Sequence, residues 1–135
     1  MNSVYRSDGC DVEYVAQLNV VLVTWKKFCR GEDYRKPLLH ALEIMRAHPG
    51  CQYVADTRQG FENEAADTAW VFEVFLPQAA QTSCRAVFFI IDRDNALKRE
   101  LEGQAAELRR SFAVHHCFGL DEVAALLRGN SMEGR

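Results

Sequence analysis

The stretch 51–77 constrains this chain most. A short apolar run, Tyr53-Val54-Ala55, ends in Asp56-Thr57-Arg58, and a Gly60 turn and an acidic approach follow. Then comes a segment carrying Trp70, Val71, Phe72, Val74, Phe75 and Leu76. The first run has the length and content of a strand, the second the length of a helix. A strand leading through a loop into an apolar helix is half of a βαβ unit, and ligands of open α/β sheets bind at the carboxyl ends of such strands. Residues 64–78 are apolar nearly all round, with mainly Glu73 and Gln78 breaking the ring. Such a helix is normally buried on all sides.

The rest of the chain alternates in the same way. Strands are expected at 12–16 and 18–25, with Gln17 at the bend of a hairpin. In the second, Leu18, Val20 and Leu22 fall on one face and Asn19, Val21 and Val23 on the other. A helix from about Tyr34 follows, with Asp33 as its cap and Pro37 in its first turn. Tyr34, Leu38, Ala41, Leu42 and Met45 form its buried stripe, and His48-Pro49-Gly50 stops it. Pro77 limits the helix at 64–78. The strand at 85–92 has an unbroken apolar middle from Ala86 to Ile91, the pattern of a central parallel strand buried on both faces. A helix from Asp94 or Asn95 to Arg110, a strand at 111–118 and a helix at 120–128 closed by Gly129 complete the order β-β-α-β-α-β-α-β-α. Residues 1–11 are polar and turn-rich, either a frayed start or a first edge strand. The expected architecture is one α/β domain over 1–135, with its core at about 12–128 and a polar tail at 129–135. Its sheet has five strands, mostly parallel, with an antiparallel edge from the opening hairpin, and four helices surround it.

Composition excludes several function classes. The 135 residues fit one domain, and 48% hydrophobic content fills its core. A formal charge of −3 and the lack of a basic stripe speak against nucleic acid. The longest apolar run has six residues, whereas a membrane span needs about 20. The first residues lack an apolar signal core, so a soluble, cytoplasmic protein is expected. The five cysteines at 10, 29, 51, 84 and 117 are widely spaced without a Cys-x-x-Cys. They read as free and buried, except Cys10 in its polar surroundings.

The element order resembles the STAS fold of bacterial anti-sigma-factor antagonists, and more closely a group of small bacterial STAS-like domains. The likeness rests on 25–28 after the second strand, Tyr34-Arg35, Ala55-Asp56-Thr57-Arg58 and 67–77 (DTAWVFEVFLP). It implies βα units wound as a superhelix, with strands adjacent in chain order and helices mainly on one side. It also implies a regulatory or protein-interaction module. The STAS switch is a phosphorylated serine in an Asp-Ser-Ser-Gly setting. Here Asp56 matches, Thr57 falls on the first serine, and Arg58 stands at the acceptor position, so the resemblance implies that the switch serine is absent.

Candidate chemistry centres on Asp56, Arg58, Asp67 and Trp70. Asp56 and Arg58 share a side if the strand continues, and Asp67 and Trp70 are helical neighbours. With Trp25 and Thr57 they either wall a pocket for a small molecule, lipid or polar metabolite, or serve local structure. In the local reading Asp56 binds loop N–H groups, Asp67 pairs with Arg58, and Trp70 is core. A fold-level likeness to lipid-transfer domains of the CRAL-TRIO type is analogy alone. His115 and Cys117 share a strand face but give only two ligands where zinc takes three or four. Glu62, Glu64 and Asp67 suit the positive end of a helix. No catalytic constellation, metal site or cofactor motif is complete. The expected function is a non-catalytic module, a homodimer or the partner of a regulatory protein. It would work through the bare sheet face, the Trp70 helix or both, with Trp70, Phe72 and Phe75 as anchors, unless the amino-terminal segment and hairpin cover that surface within one chain.

Overall fold

Alternation in the strand β3 (Val20–Trp25) sends Val21, Val23 and Trp25 to one face and Val20 and Leu22 to the other, and both sets are buried. A computed structural model describes residues 4–59, 65–92 and 109–133. β1 (Val4–Arg6), β2 (Cys10–Val15) and β3 form an antiparallel meander. β4 (Gln52–Asp56), β5 (Ala86–Ile90) and β6 (Ala113–Cys117) then extend the sheet in parallel. The six strands lie in chain order. The α/β class and the mostly parallel sheet hold, but the described residues form six strands rather than five. The extra strand is β1, drawn from the polar start. Ser7 ties its turn through its hydroxyl, which donates to the Cys10 carbonyl at 2.9 Å and accepts the Cys10 N–H at 3.0 Å.

The bend between β2 and β3 centres on Asn19 and takes Leu18 out of the strand. Asn19 has φ 54°, a left-handed conformation that asparagine tolerates better than most residues. Its Oδ1 accepts from the Tyr14 hydroxyl at 2.7 Å, and its Nδ2 donates to the Pro49 carbonyl at 3.1 Å. Its backbone carbonyl accepts the Gln52 N–H, which starts β4. Asn19→Ala is expected to lower stability by about 1–2 kcal/mol, from the strained φ and the lost bonds. Urea unfolding measures it, and a shift below about 0.3 kcal/mol would refute this account of the bend.

Three helical segments are described. α1 (Glu32–Ala47) starts two residues earlier than expected, so Asp33 lies inside it, and Gly31 takes the cap position with no side-chain bond. Pro37 sits past the first turn and is buried. The second segment is α2 (Ala65–Trp70), a π-helical turn (Val71–Phe75) and α3 (Leu76–Ala80) in continuous succession. Pro77 therefore does not end it. The Leu76 N–H reaches back five residues to the Val71 carbonyl. That wider turn lies directly upstream of a proline that has no N–H to give, which matches the usual causes of helix distortion. The last segment, α4 (Leu120–Glu133), runs on through Gly129, correcting both the expected stop and the polar tail. The expected helix at 94–110 lies outside the described residues, apart from its last two.

Both faces of the sheet are covered. α1 and the α2–α3 segment pack Leu38, Leu42, Met45, Phe75 and Ala79 over Val12, Val23, Tyr53 and Val87. On the opposite face Val123, with Leu120, Leu126 and Leu127 beside it, covers Val20, Leu22, Val54, Phe88 and Ile90. Phe88 is fully buried, and burial of such a side chain is worth about 1.5–3 kcal/mol. The expected bare sheet face is thus corrected, because the carboxyl-terminal helix crosses to the far side instead of joining the other two. No described helix is long and apolar enough to cross a membrane.

Candidate functional site

The residues expected to converge fall into two separate networks at the carboxyl end of the strands. Asp56 ends β4 beside Ile90 of β5. Its carboxylate turns onto its own chain. Arg58 donates from Nε to Oδ1 at 3.0 Å, from Nη2 to Oδ2 at 2.8 Å, and from its backbone N–H to Oδ1 at 3.1 Å. This two-pronged grip is the strong form of a guanidinium–carboxylate pair. Hydrogen bonding to Asp56 raises the Arg58 pKa against the effect of burial, with the charges of Asp56 and Asp92 adding to the rise. Thr57 is buried, and both its N–H and its hydroxyl donate to the Ile90 carbonyl, at 2.9 and 2.8 Å. The hydroxyl at the first position of the switch-like sequence is therefore spent on joining β4 to β5.

The second network starts from Asp67, only 2% exposed in the first turn of α2. Its Oδ2 accepts the Gly31 N–H at 2.9 Å and its Oδ1 accepts Arg35 Nε at 3.0 Å. The partner of Asp67 is thus Arg35, not Arg58. The Arg35 guanidinium lies 5.5 Å from the centroid of the Trp70 ring, a cation–π distance. Trp70 is half-buried and also stacks on Phe75 at 6.4 Å. Asp67 thereby ties the start of α2 to the start of α1, and one orphan N–H ahead of α1 receives a partner. No hydrogen bond or ion pair among the described residues joins Asp56–Arg58 to Asp67–Arg35. Trp25 is buried and stacks on Tyr34 at 5.0 Å.

Of the three expected contact anchors, Phe75 belongs to the core, 5% exposed and edge-on to Tyr53 at 5.8 Å. Phe72 is half-buried. Among the described residues, the large apolar side chains that face outward are Phe28, Leu39 and Val74. Arg35 and Arg46 of α1 both reach across to the second helical segment, Arg35 to Asp67 and Arg46 to Gln78 Oε1 at 2.6 Å. Leu39 lies between them on the same stripe of α1, and Val74 lies one turn before Gln78 on the facing segment. The two mark the outer seam between the helices. Sequence reasoning did not single out Leu39 or Val74: Leu39 lies off the expected buried stripe of α1, and Val74 belongs to a segment that reads as apolar nearly all round.

All five cysteines are free and buried, Cys10 included. Burial pushes the Cys51 thiol up to about 12 and those of Cys84 and Cys117 up to about 11. The two strand histidines are packing partners. His115 stacks on Phe88 at 5.0 Å on one face, and His116 on Phe89 at 5.8 Å on the other. No metal-binding cluster occurs among the described residues. Glu62 and Glu64, expected beside Asp67, lie outside them. Compared with known proteins, the chain matches no family model, no curated protein and no solved structure.

Proposed function

We propose that this protein is a non-catalytic interaction module of STAS-like type that pairs with a second copy of itself through the outer seam of α1 and the α2–α3 segment. One observation carries the reading. The polar groups at the carboxyl end of the sheet are committed to one another, Asp56 to Arg58, Asp67 to Arg35 and Gly31, Thr57 to Ile90, while Leu39 and Val74 face outward. Exposed apolar side chains grouped on one face mark interaction sites, and half-buried aromatics beside them, here Trp70 and Phe72, suit contact. The chain-order sheet supports the STAS-like layout. Arg58, held on Asp56, supports a module that lacks the phosphorylation switch. Five free thiols fit a reducing, cytoplasmic setting. The alternative, a pocket walled by Trp25, Asp56, Arg58 and Trp70, has less support because Trp25 is packed against Tyr34.

Light scattering coupled to size exclusion tests the reading. A dimer is expected at tens of micromolar, roughly the range of modest apolar interfaces. Val74→Glu is expected to return it to monomer without loss of helical circular dichroism, since Val74 lies at the surface. Arg58→Ala is expected to leave the dimer intact. A monomer at every concentration, or a dimer indifferent to both Val74→Glu and Leu39→Glu, would sink the proposal.

A further inference from the structure

At the opposite end of the sheet, a cleft of about 540 Å³ opens between the last turn of α1, the end of α3 and the approach to β5. Met45, Arg46, Pro49, Gln78, Thr82 and Arg85 are among its lining. Its volume is in the range that holds small molecules. The cleft meets the far end of the seam at Arg46 and Gln78 and is distinct from both networks at the carboxyl end of the strands.

The chemistry of the cleft is one-sided. Helix carboxyl ends normally present bare carbonyls and a negative dipole end. Here those carbonyls are already taken. The Ile44 carbonyl accepts the His48 N–H, the Gln78 carbonyl the Gln81 N–H, and the Ala79 carbonyl both the N–H and the hydroxyl of Thr82. The carbonyls of Thr82 and Cys84 accept Nη1 of Arg85, each at 2.8 Å. The Gln78 amide oxygen accepts Arg46 Nη2. These rim acceptors are therefore engaged, while most N–H donors of both guanidiniums are not. Neither arginine pairs with a carboxylate among the described residues, and both side chains are exposed. Two uncompensated positive charges share one concavity in a chain whose net charge is −3.

We propose that this cleft binds a small molecule bearing a multiply charged oxyanion, gripped between Arg46 and Arg85, with its body over Met45 and Pro49. A planar guanidinium offers parallel N–H groups that match phosphate and carboxylate oxygens alike, and two of them favour a group with more than one negative charge. Arg85 is pre-set for this, because its contacts to Thr82 and Cys84 fix the guanidinium before any ligand arrives.

Isothermal titration of the full chain with inorganic pyrophosphate and, separately, with citrate tests the inference and distinguishes phosphate from carboxylate chemistry. Saturable binding of at least one is expected, weakening as salt is raised. Arg46→Gln and Arg85→Gln are each expected to weaken it at least tenfold. Arg85 also holds two carbonyls, so Ser83→Glu serves as a second variant. It adds a negative charge on an exposed residue of the lining, removes no side-chain contact of either arginine, and is expected to weaken binding likewise. The dimer-breaking Leu39→Glu, two turns of α1 before Arg46, is expected to leave the affinity within twofold, so this inference and the proposed function fail separately. No saturable binding of either anion, or binding indifferent to Arg46→Gln and Ser83→Glu, would overturn it.

Discussion

Asp67→Ala is expected to destabilise the fold by about 2–4 kcal/mol. The carboxylate is 2% exposed and accepts two donors from α1 and its cap, Gly31 N–H and Arg35 Nε. Removing it strands a backbone donor at an incomplete helix start and leaves Arg35 without its counter-charge. A fully buried pair broken in this way loses about 3–5 kcal/mol. The Arg35 side chain is 31% exposed, so water recovers part of that loss. Trp70 keeps Arg35 in place by its ring face, which recovers a little more. Urea unfolding of Asp67→Ala, Arg35→Ala and the double variant measures the effect and its coupling. The double variant is expected to lose less than the sum of the singles, and Asp67→Asn, which keeps an oxygen for Gly31, less than Asp67→Ala. Asp56→Ala is expected to lose no more than about 1 kcal/mol, because Arg58 is half in water. A loss below about 0.5 kcal/mol for Asp67→Ala would refute the claim that this contact holds the two helices in register.

The same contact shows where sequence reading stops. Asp56 and Arg58 are two residues apart at a strand end, so their sharing a side was legible. The local reading, however, gives Asp56 only loop N–H groups and assigns Arg58 to Asp67, whereas the guanidinium grips Asp56. Asp67 and Arg35 are thirty-two residues apart, and nothing local chooses between Arg35 and Arg58 as the partner. The choice becomes forced only when Asp56 is seen to occupy Arg58. Faces were legible wherever alternation ran unbroken, as at Val20–Trp25, since the pleat admits one assignment. The side on which a helix docks was not. The stripe Leu120, Val123, Ala124, Leu127 says that α4 buries one face, but not which face of the sheet receives it. The crossing of α4 to the far side is what removes the bare sheet face and moves the expected contact surface to the helical seam. The π-helical turn was equally hidden, because an apolar helix with a proline near its end reads the same with or without a one-residue slip. The sequence does not decide β1, since Ser7, Asp8 and Gly9 are turn formers, and a hairpin turn and a frayed end use the same residues.

Stability is expected to fall steeply above about pH 9. Burial raises all five cysteine thiols above their ordinary value of 9.0. Neighbouring groups add to it for some, Cys29 for Cys10, Cys84 for Cys51 and Glu122 for Cys117. The folded chain therefore keeps these protons at a pH where the unfolded chain releases them. A raised folded pKa contributes stability that is fully present below the unfolded value and is lost as pH climbs towards the folded one. The window opens at about pH 9 and reaches about 11 for Cys84 and Cys117 and about 12 for Cys51. Each thiol inside its window lowers stability as the pH rises. Several acting together erode the small stability margin of an ordinary domain. Tyr34 and Tyr53, also raised by burial, steepen the loss at higher pH. Urea midpoints taken from pH 7 to pH 10.5 measure this. A level stretch up to about pH 8.5 and a collapse by about pH 10 are expected. Replacing Cys51 and Cys84 together by alanine is expected to flatten the slope while lowering the plateau, because two protons leave the linkage and two buried side chains are cut back. Equal midpoints at pH 8 and pH 10.5 in the unaltered chain would mean that the thiols ionise as easily in the fold as outside it, and that they are not sealed in the core.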